Sequence, residues 1–481
     1  MTHPPHEPMH FDAAGEARPS GRAPARERWS WALYDFANTI FSMNVTTLYL
    51  GVWLVSDLGM SNTTYALAGA ISSALVAISI PVLGAMSDAM RRRKWWVVGF
   101  TVMSCAACAA MGILGQTTIP LVGEHIGTGV VAVKGTLSVS QVLWVLVAFV
   151  VANYAYQAAQ PFYNAMLPEL VPAAEQGRMS GIGVATGYVG LIVGLLLVAP
   201  FYTGSVPVVG ALGEGALGVL RTIPFTEHGG RVSTFVPTAL LFLLFTVPLV
   251  LYCRDHDPAR GKVRVDWRGA FRQVGNTLRD AREHPGALRF ILTTFIYQDA
   301  VGTIIGFTTL YAVKAVGFED GAEITLFLVL TIPAIFGSYF YGRLADRIGP
   351  RRALSATLAV WVVVLVAMIA APGKTAFWVV GFFLGFNYGG VNAVERPVLL
   401  SLVPDAQAGR YFSLLLLSAR AAAILGPLVW GVTVDSLESR LGTAVAYRVA
   451  VSTVAVMFLI AWWILRGVPD RRPGTPVAAA A

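Results

Sequence analysis

Long apolar segments recur along the whole chain and constrain its fold more than any other feature. A helix needs about 20 apolar residues to cross a bilayer, since each residue rises about 1.5 Å and the hydrocarbon layer is roughly 30 Å thick. Only 13% of the 481 residues are charged, about half of the roughly 25% that is usual in soluble domains. We therefore predict an all-α integral membrane protein. Its twelve transmembrane helices are predicted near residues 31–54, 64–87, 95–115, 140–167, 178–202, 232–253, 286–313, 321–344, 353–371, 375–400, 411–435 and 443–466.

The Lys and Arg residues are unevenly distributed between the two sides of this predicted topology. Of the 35, 25 fall in connections on one side, 6 on the other and 4 within spans. Positive residues collect in cytoplasmic loops, so both termini are expected in the cytoplasm and the protein in the cell membrane. The same distribution accounts for the net charge of +8 without nucleic acid as a partner.

Three repeated patterns predict two similar halves. Asp35 and Asp299 each begin D-x-x-x-T-I, 264 residues apart. "GAMSDAMRRRK" follows span 2 and "GRLADRIGPRR" follows span 8, 258 residues later; "LVPAAEQGRMS" and "LVPDAQAGRYFS" follow spans 4 and 10, 232 residues apart. We predict two pseudo-symmetric six-helix bundles. The predicted domains are a disordered cytoplasmic tail (1–29), the first bundle (30–253), a cytoplasmic linker with an amphipathic surface helix (254–285), the second bundle (286–466) and a cytoplasmic tail (467–481).

Twelve spans with "GRLADRIGPRR" after the eighth resemble the major facilitator superfamily. The segments "WALYDFANTIF", "FYNAMLPELVP", "GRMSGIGVATGYVG", "GGVNAVERPVLLSLVP" and "AAAILGPLVWG" resemble the vacuole-effluxer-like permeases, which include fungal vacuolar amino-acid exporters linked to autophagy. The resemblance implies the major facilitator fold, with spans 1, 4, 7 and 10 around a central cavity. The chain departs from the group's pattern at "NAVERP", residues 392–397, and from the loop motif at Ala89 and Arg91.

Polar side chains lie inside the spans that this resemblance assigns to the cavity. Four amides in span 4 follow spacings of 4, 3 and 4, which places them on one helical face. Facing lipid would leave their donors and acceptors unpaired, so they either line the cavity or bond neighbouring helices together. The candidate substrate-cavity residues are Asn38, Asn153, Tyr156, Gln157, Gln160, Asn164, Asn387, Asn392, Glu395 and Arg396.

Asp35 and Asp299 are the candidates for proton coupling. A charged side chain at the bilayer centre costs about 2.5–3.5 kcal/mol and is usually turned toward protein or water. Asp35 is expected one or two turns inside the cytoplasmic edge, where it could also serve the first turn of its helix. Asp299 is expected deeper in the membrane.

The two loop motifs are expected to close the cavity on the cytoplasmic side. The resemblance implies that the first motif meets the start of span 11 and the second the start of span 5, where each aspartate would face a helix N-terminus. The alternative is that each aspartate caps its own loop. The candidate gate residues are Gly84, Asp88, Arg92, Arg178, Gly342, Asp346, Arg347 and Arg410.

These features favour a secondary transporter that moves a small polar solute by alternating access. The resemblance favours amino acids as the solute and export as the direction. The sequence has no phosphate-cradling G-x-x-x-x-G-K-[ST] loop, so a gradient would supply the energy, with protons as the candidate ion. The alternative is a non-transporting sensor or lipid-handling protein of the same fold.

The remaining expectations concern chemistry and partners. We see no paired carboxylates, metal constellation or nucleophile with its base at a membrane edge, so an enzyme is not expected. No cofactor is expected, and no metal, since Cys105 and Cys108 lack further ligands. The expected partners are a small-molecule substrate and the lipid bilayer, and the chain is expected to be a monomer.

Overall fold

The computed structural model covers most of the two predicted bundles. It describes residues 10–11, 17–18, 22–58, 60, 62–90, 92–116, 124–126, 130–132, 137–206, 210–226, 229–255, 286–318, 323–404, 407–422 and 425–470. Residues 256–285, which include the predicted amphipathic helix of the linker, lie outside the described part of the chain. Most of the two predicted tails also lie outside it.

Twelve long helical elements follow one another in this described part, and each takes the number of its predicted span. They are α1 (Ala25–Phe41), α2 (Asn62–Met90), α3 (Arg93–Leu114), α4 (Val139–Ala165), α5 (Gln176–Thr203), α6 (Phe235–Tyr252), α7 (Ala287–Tyr311), α8 (Glu323–Ile348), α9 (Pro350–Ala370), α10 (Lys374–Leu402), α11 (Ala408–Ala422 and Leu425–Leu441) and α12 (Thr443–Leu465). The first helix of each half continues as π-helix, α1 at Ser42–Tyr49 and α7 at Ala312–Val316.

Short elements connect the long helices. Helical turns occupy Leu50–Val52, Trp53–Asp57, Leu167–Leu170, Ala173–Glu175, Glu214–Leu220 and Arg231–Thr234. Three small antiparallel pairs join β1 (His10–Phe11) to β2 (Ala17–Arg18), β3 (Glu124–Ile126) to β4 (Val130–Ala132) and β5 (Ser205–Val206) to β6 (Gly210–Ala211). Because no strand among these exceeds three residues, the architecture is the all-α one that the sequence predicts.

Local sequence signals set several helix ends. Ser138 forms a capping box with Gln141 at the start of α4, which satisfies backbone donors that have no partner within the helix. Gly349 has a φ of 94° and separates α8 from α9, where Pro350 occupies the first turn. Glycine adopts positive φ without strain, and proline fits the first helical turn because its missing N–H is not needed there. The Gly-Pro pair of the second loop motif therefore makes a tight connection between two helices.

Eight of the described helical segments are long and apolar enough to cross a membrane. They are Arg93–Leu114, Val139–Leu170, Ala173–Tyr202, Arg231–Tyr252, Ala287–Thr308, Pro350–Ala370, Lys374–Leu402 and Thr443–Leu465. The other four predicted spans correspond to α1, α2, α8 and α11, which do not meet this criterion within the described residues. Two of these helices change character along their length: α1 passes into π-helix and α11 consists of two segments.

Each half packs in the same way, and the two halves meet along equivalent helices. α1 packs against α5 in the first half, and α7 packs against α11 in the second. Between the halves, α5 packs against α8 and α2 packs against α11. The interface therefore has the pseudo-symmetry that the repeated sequence patterns predict.

The halves approach each other closely where the two loop motifs lie, and we call this the motif end, defined by Gly84 and Gly342. A Cβ atom added at Gly342 would lie 2.5 Å from the carbonyl oxygen of Gly177 and 2.9 Å from the Cα of Gly181. A Cβ atom at Gly84 would lie 2.6 Å from Oγ of Ser413 and 3.0 Å from the Cα of Arg410. Glycine allows helix backbones to approach this closely, so both motif glycines close the motif end.

We expect Gly342→Ala to destabilise the protein, because the added methyl group would overlap the backbone of α5. Overpacking of this kind costs about 1–3 kcal/mol, which should appear as a lower thermal unfolding temperature of the purified protein in detergent. Gly302→Ala in α7 is the matched control, since no heavy atom lies within 4 Å of its added Cβ and alanine has the higher helix propensity. Equal unfolding temperatures for the two variants would contradict the close contact.

Candidate functional site: a polar cavity between the two halves

A cavity of about 480 Å³ lies between the halves, lined by residues from α1, α4, α5, α7, α8, α10 and α11 and by the π-helical turns after α1. Along α1 and its continuation the lining runs from Asp35 to Thr47, away from the motif end. Its polar and aromatic lining residues are Asp35, Thr39, Ser42, Thr47, Tyr156, Gln160, Asn164, Tyr188, Thr308, Thr331, Tyr388, Asn392, Glu395, Arg396 and Phe412. The space has the size and mixed lining that are typical of small-molecule sites.

The structure brings six of the ten predicted cavity residues to this space. They are Tyr156, Gln160, Asn164, Asn392, Glu395 and Arg396. Asn392 also crosses to the other half, since its Nδ2 donates to the hydroxyl of Tyr188 at 3.1 Å. Tyr188 in turn lies 5.6 Å from the ring of Tyr388, measured between centroids. These contacts link α5 and α10 across the two halves.

The other four predicted cavity residues are not among those that line the space. Asn153 donates to Oγ of Ser72 on α2 at 3.0 Å, and Asn387 accepts from the hydroxyl of Tyr341 on α8 at 2.7 Å. These two amides bond helices within one half, which is the structural alternative that the sequence left open. The remaining two, Gln157 and Asn38, are buried.

Asp35 and Arg396 form an ion pair inside the cavity, across the interface between the halves. Nη1 of Arg396 donates to one carboxylate oxygen at 3.1 Å and Nη2 donates to the other at 3.3 Å. The exposed fractions of the two side chains are only 14% for Arg396 and 9% for Asp35. Two-pronged pairing of a guanidinium with a carboxylate fixes both distance and orientation. Sequence reasoning singled out both residues but did not pair them.

An aromatic platform in the first half supports the guanidinium. The Arg396 guanidinium carbon lies 5.6 Å from the ring centroids of both Trp31 and Tyr163. These rings stack on each other with centroids 4.7 Å apart. They also exchange hydrogen bonds, since Nε1 of Trp31 donates to the Tyr163 carbonyl at 3.2 Å and the Tyr163 hydroxyl donates to the Trp31 carbonyl at 3.0 Å. Aromatic faces attract cations, so the platform holds the guanidinium beside Asp35.

Asp35 lies farther along its helix than the sequence suggested. We expected it one or two turns inside the edge, with the span starting near residue 31. The helix α1 begins at Ala25, so Asp35 is ten residues along it, at about 15 Å for a rise of about 1.5 Å per residue. The alternative that Asp35 serves the first turn of its helix is therefore wrong.

Glu395, the neighbour of Arg396, is held by a different helix. Its Oε2 accepts from the hydroxyl of Tyr297 at 2.9 Å and from Nε2 of Gln298, both on α7. Both donors come directly before Asp299 in the sequence, and their role was not predicted. In the "YQD" stretch of the second half, Tyr297 and Gln298 thus hold a cavity residue, while Asp299 contacts α11.

Asp299 occupies the position equivalent to Asp35 but has a different partner. Thr39 donates to the Asp35 carbonyl at 2.7 Å and Thr303 donates to the Asp299 carbonyl at 2.8 Å, so the repeated pattern has one local geometry. The carboxylate of Asp299 accepts from the backbone N–H of Gly426 at 2.7 Å, at the start of the second segment of α11. Asp299 is 2% exposed and is not among the residues that line the cavity.

At the motif end, Asp346 binds the start of α5. Its two carboxylate oxygens accept from the backbone N–H groups of Gly177 and Arg178 at 2.8 and 2.7 Å. A carboxylate is favoured there because these N–H groups have no partner within their helix and the helix dipole is positive. The contact matches the expected meeting of the second motif with span 5 rather than a cap on its own loop.

The other gate candidates lie around these contacts. Gly84 packs on Arg410 at the start of α11, as the resemblance implied for the first motif. The side chain of Asp88 lies outside the described residues. The side chains of Arg92, Arg178 and Arg347 are exposed, so the bond to Asp346 uses the backbone of Arg178 rather than its guanidinium.

The fold and the cavity between two similar halves define a class, the membrane transporters of the major facilitator superfamily, rather than a class of enzymes. Residues 59–472 match the family model described as "Vacuole effluxer Atg22 like". The chain belongs to that family and is a multi-pass membrane protein. Both the fold class and the family resemblance that the sequence indicated are thereby confirmed.

Similar proteins come from bacteria and fungi. The MFS-type transporter YxiO of Bacillus subtilis is 26% identical over 448 residues, which cover 92% of this chain and 94% of YxiO. Autophagy-related protein 22 of Yarrowia lipolytica is 23% identical over 296 residues, which cover 54% of this chain and 46% of that protein. The crystal structure of FucP in its outward conformation superposes with a TM-score of 0.67 at 13% identity, covering 92% of this chain and 98% of FucP. These similarities identify a secondary transporter.

Breaking the Asp35–Arg396 pair should destabilise the protein, because each single change leaves an unpaired buried charge. We expect Asp35→Asn and Arg396→Gln each to lower the free energy of unfolding by about 3–5 kcal/mol. The double variant should lose much less than the sum, since it leaves no charge behind. Thermal unfolding of the purified variants measures these losses.

The control for this cycle is the exposed pair Arg352–Asp470, whose side chains are 58% and 25% exposed. Its removal by Arg352→Gln should change stability by no more than about 1 kcal/mol. Strictly additive losses in the Asp35–Arg396 cycle would show that the two side chains do not interact.

Closure of the motif end should depend on pH through Asp346, which lies two residues beyond the predicted span 8. Burial raises the pKa of this carboxyl to about 6, although its bonds to backbone N–H groups act in the opposite direction. An exposed aspartate has a pKa of about 3.9. The closed state therefore binds the proton more tightly than an open state would. Closure should strengthen as the pH falls through about 6 toward 4 and weaken as it rises.

Spin labels on Arg92→Cys and Arg343→Cys, exposed positions in opposite halves, would report this change. The native cysteines would first be replaced. We expect the short-distance population to be larger at pH 5 than at pH 8, and Asp346→Asn to flatten this dependence. An unchanged pH dependence in the Asp346→Asn protein would exclude this carboxyl as its source.

Proposed function

We propose that this transporter moves a small polar solute across the cell membrane by alternating access, with the motif end and both termini in the cytoplasm. The cavity lies between two similar halves, as alternating access by rocking requires. Its lining combines amides, hydroxyls and charged groups with aromatic rings. Contacts between α5 and α8 and between α2 and α11 close the motif end, while the cavity extends away from it.

The Asp35–Arg396 pair is the observation that carries this proposal. It joins helices from different halves at the cavity wall, so rocking of the halves must stretch or rearrange it. A buried pair resists separation because each partner would be left without its counter-charge. A solute or a proton that offers a replacement partner would lower that resistance, which couples occupancy of the cavity to movement of the halves.

The proposed substrate class and direction are taken from the family resemblance. The printed family description is that of a vacuole effluxer, which supports outward movement of a small metabolite, with amino acids as the first class to test. Protons are the proposed coupling ion, and Asp35 and Asp299 remain the residues proposed to carry them. We propose that the chain acts as a monomer, because the cavity is formed by the two halves of one chain.

The alternative is a sensor or lipid-handling protein of the same fold that transports nothing. Such a protein could keep the cavity and the motif-end contacts, so transport itself must be measured. No single contact in the described part of the chain favours this alternative over transport.

Transport should be tested with purified protein in proteoliposomes that carry an imposed pH gradient. We expect saturable movement of at least one compound from a panel of amino acids, sugars and nucleosides, selected first by thermal shift. Arg396→Gln should reduce transport at least about tenfold, because it removes the cross-half partner; a tenfold change corresponds to about 1.4 kcal/mol. Arg352→Gln at the exposed pair is the matched control and should transport normally.

The outcomes separate the proposals. Loss of pH-driven transport in Asp35→Asn and Asp299→Asn would support proton coupling at these residues, and retained coupling in both would remove that assignment. Compounds that stabilise the protein but never cross the membrane would favour the sensor.

A further inference from the structure

The charges in the cavity do not balance among the described lining residues. Three described lining side chains are charged, Asp35, Glu395 and Arg396. Arg396 directs its two hydrogen bonds to Asp35, so these charges neutralise each other. Glu395 is held by two neutral groups, the Tyr297 hydroxyl and the Gln298 amide. With acidic and basic side chains counted in their ordinary ionised forms, the described lining therefore carries one formal negative charge, on Glu395.

Glu395 is fixed in position and keeps one oxygen available. Both of its hydrogen bonds end on Oε2, which leaves Oε1 for a partner in the cavity that the residue lines. Tyr297 is fully buried, so the carboxylate is anchored to the rigid interior of the second half. Preorganised groups of this kind bind without the cost of ordering a mobile side chain.

Aromatic rings face the same space. Tyr156, Tyr188, Tyr388 and Phe412 line the cavity. Tyr388 precedes Glu395 by seven residues and thus lies on the same side of α10. Aromatic rings in a cavity that also contains a carboxylate favour an organic cation, because the ring faces attract positive charge and the ring bodies bury its carbon atoms.

We infer that Glu395 forms a subsite for a positively charged nitrogen group, and that the solute is an organic monocation such as an amine or a guanidine. This inference rests on the proposed transport function and narrows its solute class from amino acids in general to organic cations. An amino-acid zwitterion fits less well, because its carboxylate would need a cation and the guanidinium of Arg396 is already bound by Asp35. Taking Arg396 from Asp35 would leave a buried carboxylate unpaired, which is unfavourable.

Three probes with a common aromatic body test the charge requirement directly. 2-Phenylethylamine is a cation at neutral pH, 2-phenylethanol is neutral and phenylacetate is an anion. Calorimetric titration of the purified wild-type chain at fixed ionic strength should show the amine binding at least about tenfold more tightly than the alcohol, with phenylacetate weakest. Phenylalanine, which adds a carboxylate to the amine, should bind more weakly than phenylethylamine.

Glu395→Gln should remove the preference for the amine over the alcohol, whereas Glu395→Asp should retain part of it. Asp435→Asn, which removes an exposed acid in the same half, is the control for net charge and should bind like the wild type. If Glu395→Gln fails to fold, Asn392→Asp supplies the test, since a second acid in the lining should strengthen binding of the amine and weaken that of phenylacetate.

Equal binding of the three probes, no binding of the amine, or tighter binding of phenylalanine would overturn the cation subsite. Transport of a neutral or zwitterionic solute by a protein that ignores the amine would refute this inference and leave the proposed transport function standing. Binding of the amine without transport of any compound would do the reverse.

Discussion

The arrangement of the two halves depends on one physical constraint, the cost of burying the Arg396 charge between the halves of a largely apolar bundle. A charge at such a site is tolerated only when a partner and nearby dipoles replace the lost water. Asp35 supplies the carboxylate at 3.1 and 3.3 Å, and the stacked pair of Trp31 and Tyr163 supplies the aromatic faces. Because these three residues belong to the first half and Arg396 to the second, the same contact that neutralises the charge also aligns the halves around the cavity.

The duplicated halves differ at the point that matters for this contact. With the 232-residue offset, Arg396 corresponds to Asn164, so the first half has an amide where the second has a guanidinium. Asp35 and Asp299 both keep the threonine bond of the repeated pattern, and each lies close to a glycine, Gly183 or Gly426. Of these two aspartates, only Asp35 pairs with an arginine, Arg396. Asp299 accepts instead from the Gly426 N–H and serves the packing of α11, so one half supplies the ion pair and the other supplies a helix junction.

The sequence was sufficient for the fold, because apolar length and repeated motifs are properties of the chain itself. The family resemblance of the loop motifs also located the motif-end contacts, and Gly342 and Asp346 lie against α5 as that resemblance implied. The sequence could not separate cavity amides from packing amides. Gln160 and Asn164 line the space while Asn153 bonds to Ser72, because three helical turns of one face meet different neighbours. Pairing of Asp35 with Arg396, 361 residues apart, depends on the register of two bundles, which no local pattern encodes.

The contacts at the motif end and the ion pair between the halves belong to one conformation. A transporter that works by alternating access must adopt at least one other conformation. The most direct test of alternating access is to measure transport by a chain whose two halves are cross-linked at the motif end. Arg178→Cys and Arg343→Cys place exposed thiols on α5 and α8, whose backbones are in contact nearby, in a chain freed of its native cysteines. A short cleavable cross-linker between them should stop transport, and its cleavage should restore it. Transport at the uncross-linked rate while the link is intact would contradict alternating access between these two halves.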